Sequence, residues 1–306
     1  MKVFYNLKEL PKFQNAVITV GTFDGVHKGH QQILNKLNAL AQKQQGESIL
    51  ITFHPHPRFI INPNDTSLKL INTLDEKIKL LESYGIDNLV IVPFTKAFSE
   101  LSAEAYVEDF LLKNFTPNVI VIGYDHHFGK GRKGNIDLLK TYQSRHHFEI
   151  ELIQKEELED ITISSTKIRQ ALAHGDVQLA KELMNHHYFI EGEVVEGAKL
   201  GRTISFPTAN IALSASYKLI PKEGVYAVNV LVETKQYKGM LNIGHKPTFK
   251  NQDLSIEVHI FDFDKDIYGK KIIVEFVYFI REEIKFESIE ALQNQLQKDK
   301  IEALKN

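Results

Sequence analysis

The stretch Val17-Ile18-Thr19-Val20 is a short β-branched run with strong strand preference. It ends at Gly21 and passes into a segment with glycines at 21, 25 and 29 and histidines at 27 and 30. Directly after His30, residues Ile33, Leu34, Leu37, Leu40 and Ala41 fall on one face of a helix. A strand, a glycine-rich loop and a helix in that order bring bare backbone N–H groups and a helix N-terminus to one point, an arrangement suited to phosphate. The loop lacks the Lys-Ser/Thr ending of a P-loop and is not GxGxxG. It offers His-x-Gly-His instead, in which glycine admits a nucleotide against the backbone and two imidazoles can donate to phosphoryl oxygens.

The same alternation continues. Ile49 to Phe53 reads as a second strand that runs into His54-Pro55-His56-Pro57, where two prolines end it. Leu74, Ile78 and Leu81 mark a helix stopped by Gly85, and Leu89 to Val92 a third strand. Ser102 suits the cap of a helix with Val107, Phe110, Leu111 and Phe115 on its inner side, and Val119 to Ile122 is a fourth strand. The strands are apolar on both faces, so a buried parallel sheet wrapped by helices is expected. Ligands bind such sheets at the strands' carboxyl ends, which is where the His54–Pro57 segment and a basic, glycine-rich loop from Gly123 to Gly134 both fall. Ser164-Ser165-Thr166-Lys167-Ile168-Arg169 opens a further helix with hydroxyls, free N–H groups and a guanidinium, which suits an anion.

Beyond His187 long helices vanish and short alternating strands follow: Glu191 to Val195, Val225 to Val232, Tyr237 to Ile243, Ser255 to Phe263 and Lys271 to Ile280. This pattern predicts a small antiparallel barrel covered by a helix that starts at Ser288 and uses Ile289, Leu292 and Leu296. Two domains are expected, residues 1–185 and 186–306, as a length of 306 residues also favours. A formal net charge of −2 gives no global reason to expect nucleic acid as a partner. With no cysteine there is no disulfide, no thiolate catalysis and no Cys-ligated zinc, which fits a reducing cytoplasm. No run approaches the roughly 20 apolar residues of a membrane span.

Within the second half, Gly197 to Asn210 reads GAKLGRTISFPTAN. Thr208 and Asn210 present neutral oxygens at spacing two along an extended segment, which together with phosphate oxygens would suit Mg²⁺. The alternative is a turn in which Thr and Asn satisfy backbone groups.

GTFDGVHKGH, the ISSTKIR segment and the GYDHHFGKGRKG loop together resemble the HxGH nucleotidyltransferases in the form carried by bacterial bifunctional riboflavin kinase/FAD synthetases. GRTISFPTAN, NIGHKPTF and the SIEVHIFDF strand are similar to the kinase half of the same family, so the resemblance covers nearly the whole chain. It implies a Rossmann-like α/β domain that adenylylates FMN to FAD and a β-barrel that phosphorylates riboflavin to FMN, with ATP as donor and Mg²⁺ as cofactor. For the first site it implies ATP contacts at Gly21, Phe23, Asp24, Gly25, Gly29, Ser165 and Thr166, and catalytic roles for His27, His30 and Arg169. It implies flavin contacts at His56, Pro57, Asp125 and Phe128. For the kinase it implies ATP or flavin contacts at Gly197, Gly201, Arg202, Phe206, Pro207, Asn242, Gly244 and Arg281, with Thr208 and Asn210 on the metal and Glu257 as general base. Two positions depart from the family pattern: His126 stands where the family has Phe, and Ser205 where it has Gly. Retention of only one activity is therefore an alternative, and an OB-like nucleic-acid binder is another, one that would need a basic groove with stacking aromatics. A metalloenzyme built on the His-His pairs at 126, 146 and 186 is a more distant reading.

Overall fold

The computed structural model of the chain describes residues 1–154, 163–197, 201, 204–245 and 254–305. The chain divides into two compact units, Met1–Lys69 with Leu74–Ser164, and Leu70–Thr73 with Ser165–Asn306.

In the first unit six strands form one parallel sheet: β1 Lys2–Phe4, β2 Val17–Val20, β3 Ser48–His54, β4 Asn88–Pro93, β5 Val119–Gly123 and β6 Glu149–Ile153. Their order is β1-β4-β3-β2-β5-β6, so the chain reverses direction across the sheet between β2 and β5. Alternate side chains feed two cores. Ile18, Ile51, Val92 and Ile120 face one side, and Val17, Leu50, Leu89 and Val121 the other. This is why the inner strands are apolar on both faces over most of their length. Helix α1, Lys28–Lys43, buries Leu34, Leu37 and Ala41, with Ile33 and Leu40 partly covered. Helix α2 is Leu74–Glu82. Ser102 caps the next helical stretch by accepting from Ala105 N–H at 3.1 Å, and its middle, Tyr106–Leu112, is π-helical. The edge strands β1 and β6 carry few apolar residues, most of them half-buried, and strand preference along the sequence did not mark them.

In the second unit six antiparallel strands close a barrel in the order β10-β11-β8-β7-β12-β9. They are β7 Phe189–Val195, β8 Ala209–Leu213, β9 Gly224–Val232, β10 Lys235–His245, β11 Leu254–Ile260 and β12 Lys271–Arg281. Strand β8 begins inside the Pro-Thr-Ala-Asn motif, whose turn-like composition had hidden it. Helix α3, Ile136–His146, belongs to the first unit, whereas α4, Ser165–Ala173, and α5, Val177–Met184, belong to the second. They are held there by burial of Val177, Ala180 and Met184 and by Lys222 N–H donating to the Leu172 carbonyl. The second unit also takes in Leu70–Thr73. Leu70 exchanges backbone bonds with Tyr217 and Leu219, and the buried Lys218 ammonium donates to the carbonyls of Ile71 and Phe189 at 2.7 and 2.8 Å. Ser288 caps α6, Ile289–Ala303, as expected. The covering face is Leu296, Asp299 and Ala303, however, and Ile289 is 66% exposed. No helix among the described residues is long and apolar enough to cross a membrane.

Candidate active sites

The loop after β2 and the loop after β5 leave adjacent strands at the point where sheet order reverses, the position where open parallel sheets bind ligands. The first of these loops is closely packed. Phe23, Gly25 and Val26 take φ values of 49°, 87° and 39°, and a β-branched residue in that region is held only by its surroundings. Here Phe23, Asp24 and Val26 are buried, and Gln31 Nε2 donates to the Val26 carbonyl at 2.8 Å. Gly21 packs against the Phe23 ring so closely that a Cβ would stand 2.7 Å from it.

His27 is the N-cap of α1, its Nδ1 accepting from the His30 N–H at 3.3 Å. An accepting Nδ1 places the proton of the neutral ring on Nε2, which is then a donor. The His27 and His30 rings stack with centroids 3.6 Å apart, with Lys28 and Gly29 between them in the chain. Burial, then His27 and then Lys77, hold the His30 pKa well below its ordinary value. Its Nδ1 is buried with no hydrogen-bond partner, a costly state that a ligand oxygen or hydroxyl can relieve.

At the end of β3, His56 caps the short helix Pro57–Ile61 by accepting from Arg58 N–H at 3.2 Å. The loop after β5 is pinned rather than free. Phe128 and Gly134 exchange two backbone bonds, and Lys130 N–H donates to the Leu101 carbonyl at 2.7 Å. Gly129, at φ 72°, lies so close to Ala103 that a side chain would collide. Asp125 is exposed, whereas Phe128 is buried and stacks on Tyr106 at 4.9 Å. The expected flavin contact at 128 is thus a ring that anchors the loop from below. Burial lowers the neighbouring His126 pKa to about 4. Ser165, Thr166 and Arg169 occupy the first turns of α4 in the second unit, with Thr166 exposed.

In the barrel, Asn242, Glu257 and Asn210 are direct cross-strand partners on β10, β11 and β8. Glu257 Oε2 accepts from the Thr208 hydroxyl and Oε1 from the Ser255 hydroxyl, each at 3.0 Å. Both hydroxyls therefore fix the carboxylate, and the Thr208 oxygen keeps its lone pairs. Gly197 packs on Asn210, where a Cβ would meet the amide nitrogen at 2.1 Å, and Phe206 N–H closes a turn on the Gly201 carbonyl at 2.9 Å. Phe206 itself is buried against Phe261 and Ala303. A cavity of about 450 Å³ beside Thr208 and Pro207 is lined further by Val194, Phe263, Asp264 and Tyr268. Among these, Asp264 was not foreseen, because it lies in a loop whose approach to Pro207 is a matter of barrel closure. Hard neutral oxygens at Thr208 and Asn210 next to a carboxylate fit Mg²⁺.

Two of the expected residues make further contacts within the barrel unit. Arg281 grips Asp299 of α6, Nε to Oδ1 at 2.9 Å and Nη2 to Oδ2 at 2.6 Å, so its guanidinium ties the terminal helix to β12. Asn242 donates to the Glu283 carboxylate at 3.1 Å, which also lies over Gly244. Arg202 lies outside the described residues, as do 246–249 of the NIGHKPTF segment. No group of three or more His, Asp or Glu side chains among the described residues is placed to hold a metal.

A parallel sheet with an HxGH loop at its reversal point, joined to a closed barrel with a hydroxyl-fixed glutamate, defines a two-domain transferase of the nucleotidyltransferase and flavokinase type. Residues 10–167 match the FAD synthetase family and residues 184–306 the riboflavin kinase family. The chain is 39% identical over 287 residues to the bifunctional riboflavin kinase/FMN adenylyltransferase of Listeria monocytogenes, covering 93% of this chain and 90% of that one. It is 38% identical over 293 residues to the protein of the same name from Bacillus subtilis, covering 95% and 92%. A crystal structure described as a macrolide-efflux protein from Streptococcus pneumoniae superposes with a TM-score of 0.88 at 32% identity, over 99% of this chain and 98% of that one. The chain belongs to the bifunctional riboflavin kinase/FMN adenylyltransferase family. It uses ATP to phosphorylate riboflavin to FMN and then to adenylylate FMN to FAD.

Proposed function

We propose the following division of labour between the residues. In the barrel, Glu257 accepts the proton of the riboflavin 5′-hydroxyl as its oxygen attacks the γ-phosphorus of ATP and ADP leaves. Thr208 and Asn210 hold Mg²⁺, which when bound offsets phosphate charge. Thr208 and Ser255 aim the carboxylate, and the cavity beside Pro207 and Tyr268 takes the nucleotide.

In the first unit an FMN phosphate oxygen attacks the α-phosphorus of a second ATP, and pyrophosphate leaves. No side-chain nucleophile is required. The ATP phosphates lie on the backbone of the Gly21–Gly25 loop and the start of α1. His27 and His30 donate to oxygens on which charge develops. His56, Pro57 and Asp125 face the flavin. A cysteine-free chain that works on ATP suits the cytoplasm.

The observation that carries this reading is the Glu257 carboxylate, with both oxygens held by hydroxyls and Asn210 and Asn242 directly across the strands. Riboflavin, ATP and Mg²⁺ incubated with the protein should yield FMN and FAD, resolved by chromatography. Glu257→Gln should reduce FMN formation about 10²- to 10⁴-fold while supplied FMN still becomes FAD. His30→Ala should let FMN accumulate. Parent-like FMN production by Glu257→Gln would remove Glu257 from the mechanism, and parent-like FAD production by His30→Ala would remove the loop.

A further inference from the structure

Lys77, which no motif singles out, is buried on α2 beneath the first loop. Its ammonium donates to the Thr22 carbonyl and to the Thr52 hydroxyl, both at 3.0 Å. The Thr52 hydroxyl also reaches the Thr22 carbonyl, at 3.3 Å. Thr22 follows β2 and Thr52 lies near the end of β3, so one cation bridges the carboxyl ends of two neighbouring strands.

We infer that Lys77 is a positioning residue for adenylylation, a buried cation that turns the Thr22–Phe23 peptide and draws the ATP phosphates to the loop above it. The inference rests on the reading that this loop takes the ATP of the adenylylation step. A trans peptide points its carbonyl and N–H in opposite directions, so a Thr22 carbonyl fixed toward Lys77 leaves the Phe23 N–H facing away from it. A buried lysine costs desolvation, which two neutral acceptors offset only in part.

The surrounding charges agree. Asp24 of the loop favours the ammonium, while burial dominates and brings its pKa down to about 8. Burial is the main cause that lowers the His30 and His54 pKa values; Lys77 adds to it at both, after His27 at His30 and against Asp75 at His54. The buried Glu76 is its neighbour on α2. A bound polyanion would restore the proton affinity that burial removes. By reciprocity ATP should bind more weakly once Lys77 loses its proton.

The test uses the full chain and FMN as substrate. ATP binding by calorimetry and the ATP dependence of FAD formation are followed from pH 7.5 to 9.5, above the last proton loss of the phosphate. In the parent the apparent ATP constant should weaken on the order of tenfold across this range. Lys77→Gln keeps amide donors for Thr22 and Thr52 but no charge, so it should bind ATP about tenfold more weakly at pH 7.5 and show a flat profile. Lys77→Met should lose more, with FMN formation from riboflavin retained in both. Parent-like ATP binding and pH dependence in Lys77→Gln would overturn the inference. So would a flat profile in the parent, a measurement that stands if the variants do not fold. His30→Ala run in parallel separates the two ideas: loss there with a parent-like Lys77→Gln defeats only the lysine, whereas no loss there defeats the loop itself.

Discussion

The Nδ1–H of His259 donates to the Pro207 carbonyl across 2.7 Å and so joins strand β11 to the residue before Thr208. The ring lies on the same strand as Glu257, two residues on, wedged edge-to-face against Phe206 and Phe261. Burial is the main cause that lowers its pKa, so the neutral ring must carry its proton on Nδ1 to make this bond. Glu257, the proposed general base, and the loop proposed to hold the metal are thereby fixed to one strand by side chains on one face.

His259→Asn should preserve much of the kinase, because the asparagine amide can replace the Nδ1–H. His259→Leu keeps the bulk and loses the donor. FMN formation should fall about 10- to 100-fold in the leucine variant, the usual scale for a group that orients a ligand-holding residue. The Mg²⁺ concentration for half-maximal rate should rise with it. FAD formation from supplied FMN is the internal control, and equal rates in the two variants would reject the role.

Ser205 adopts φ 63° at the position where the family has glycine. The loop therefore keeps the left-handed backbone and carries the strain of a Cβ there. Ser205→Gly should stabilise the second unit by up to about 1 kcal/mol, the lower end of the cost of left-handed geometry for an L-residue. Thermal unfolding measures it, and a lower midpoint would show that the serine side chain earns its place by other contacts.

Asp299 is 1% exposed and meets Arg281 through three short contacts, with Gln295 adding a fourth at 2.8 Å. Asp299→Ala would leave the guanidinium without its counter-charge and should destabilise the second unit by about 3–5 kcal/mol. Denaturant unfolding checks this. An Arg281 that instead served mainly to bind nucleotide would lose affinity with little loss of stability.

His126 supplies a pH test. Its pKa falls to about 4 in the fold, first through burial, with Asp125 opposing and Arg132 and His127 assisting. The unfolded chain takes up this proton near pH 6.5, so the unfolded state binds more protons between the two values. Stability is thus full above about pH 6.5 and declines as pH falls toward 4, by at most about 3 kcal/mol from this group. His126→Phe, the family's residue, should make the first unit less sensitive over that window in unfolding measured at pH 7, 5.5 and 4.5. An unchanged slope would exclude His126 as a source.

Much of the architecture was legible because it is written locally. The β-branched runs at 17–20, 89–92 and 119–122, the helical face of Leu34, Leu37 and Ala41, and the two loops with their own motifs need only neighbours a few residues away. Periodicity and turn chemistry carry that information directly. What the fold alone decided are the long-range pairings. Arg281 is an ATP or flavin contact by resemblance, and only the fold shows that it pairs with an aspartate on the terminal helix. Phe128 resembles a ligand contact, and only the fold shows that it packs on Tyr106. Leu70–Thr73 joins the barrel through Lys218, and Lys77 becomes a buried cation because two strand ends meet above it. A charged side chain's sequence neighbours determine its type and its reach. Burial and the choice of partner are set only when elements distant in the chain close around it, and for these residues that closure separates a structural tie from a catalytic charge.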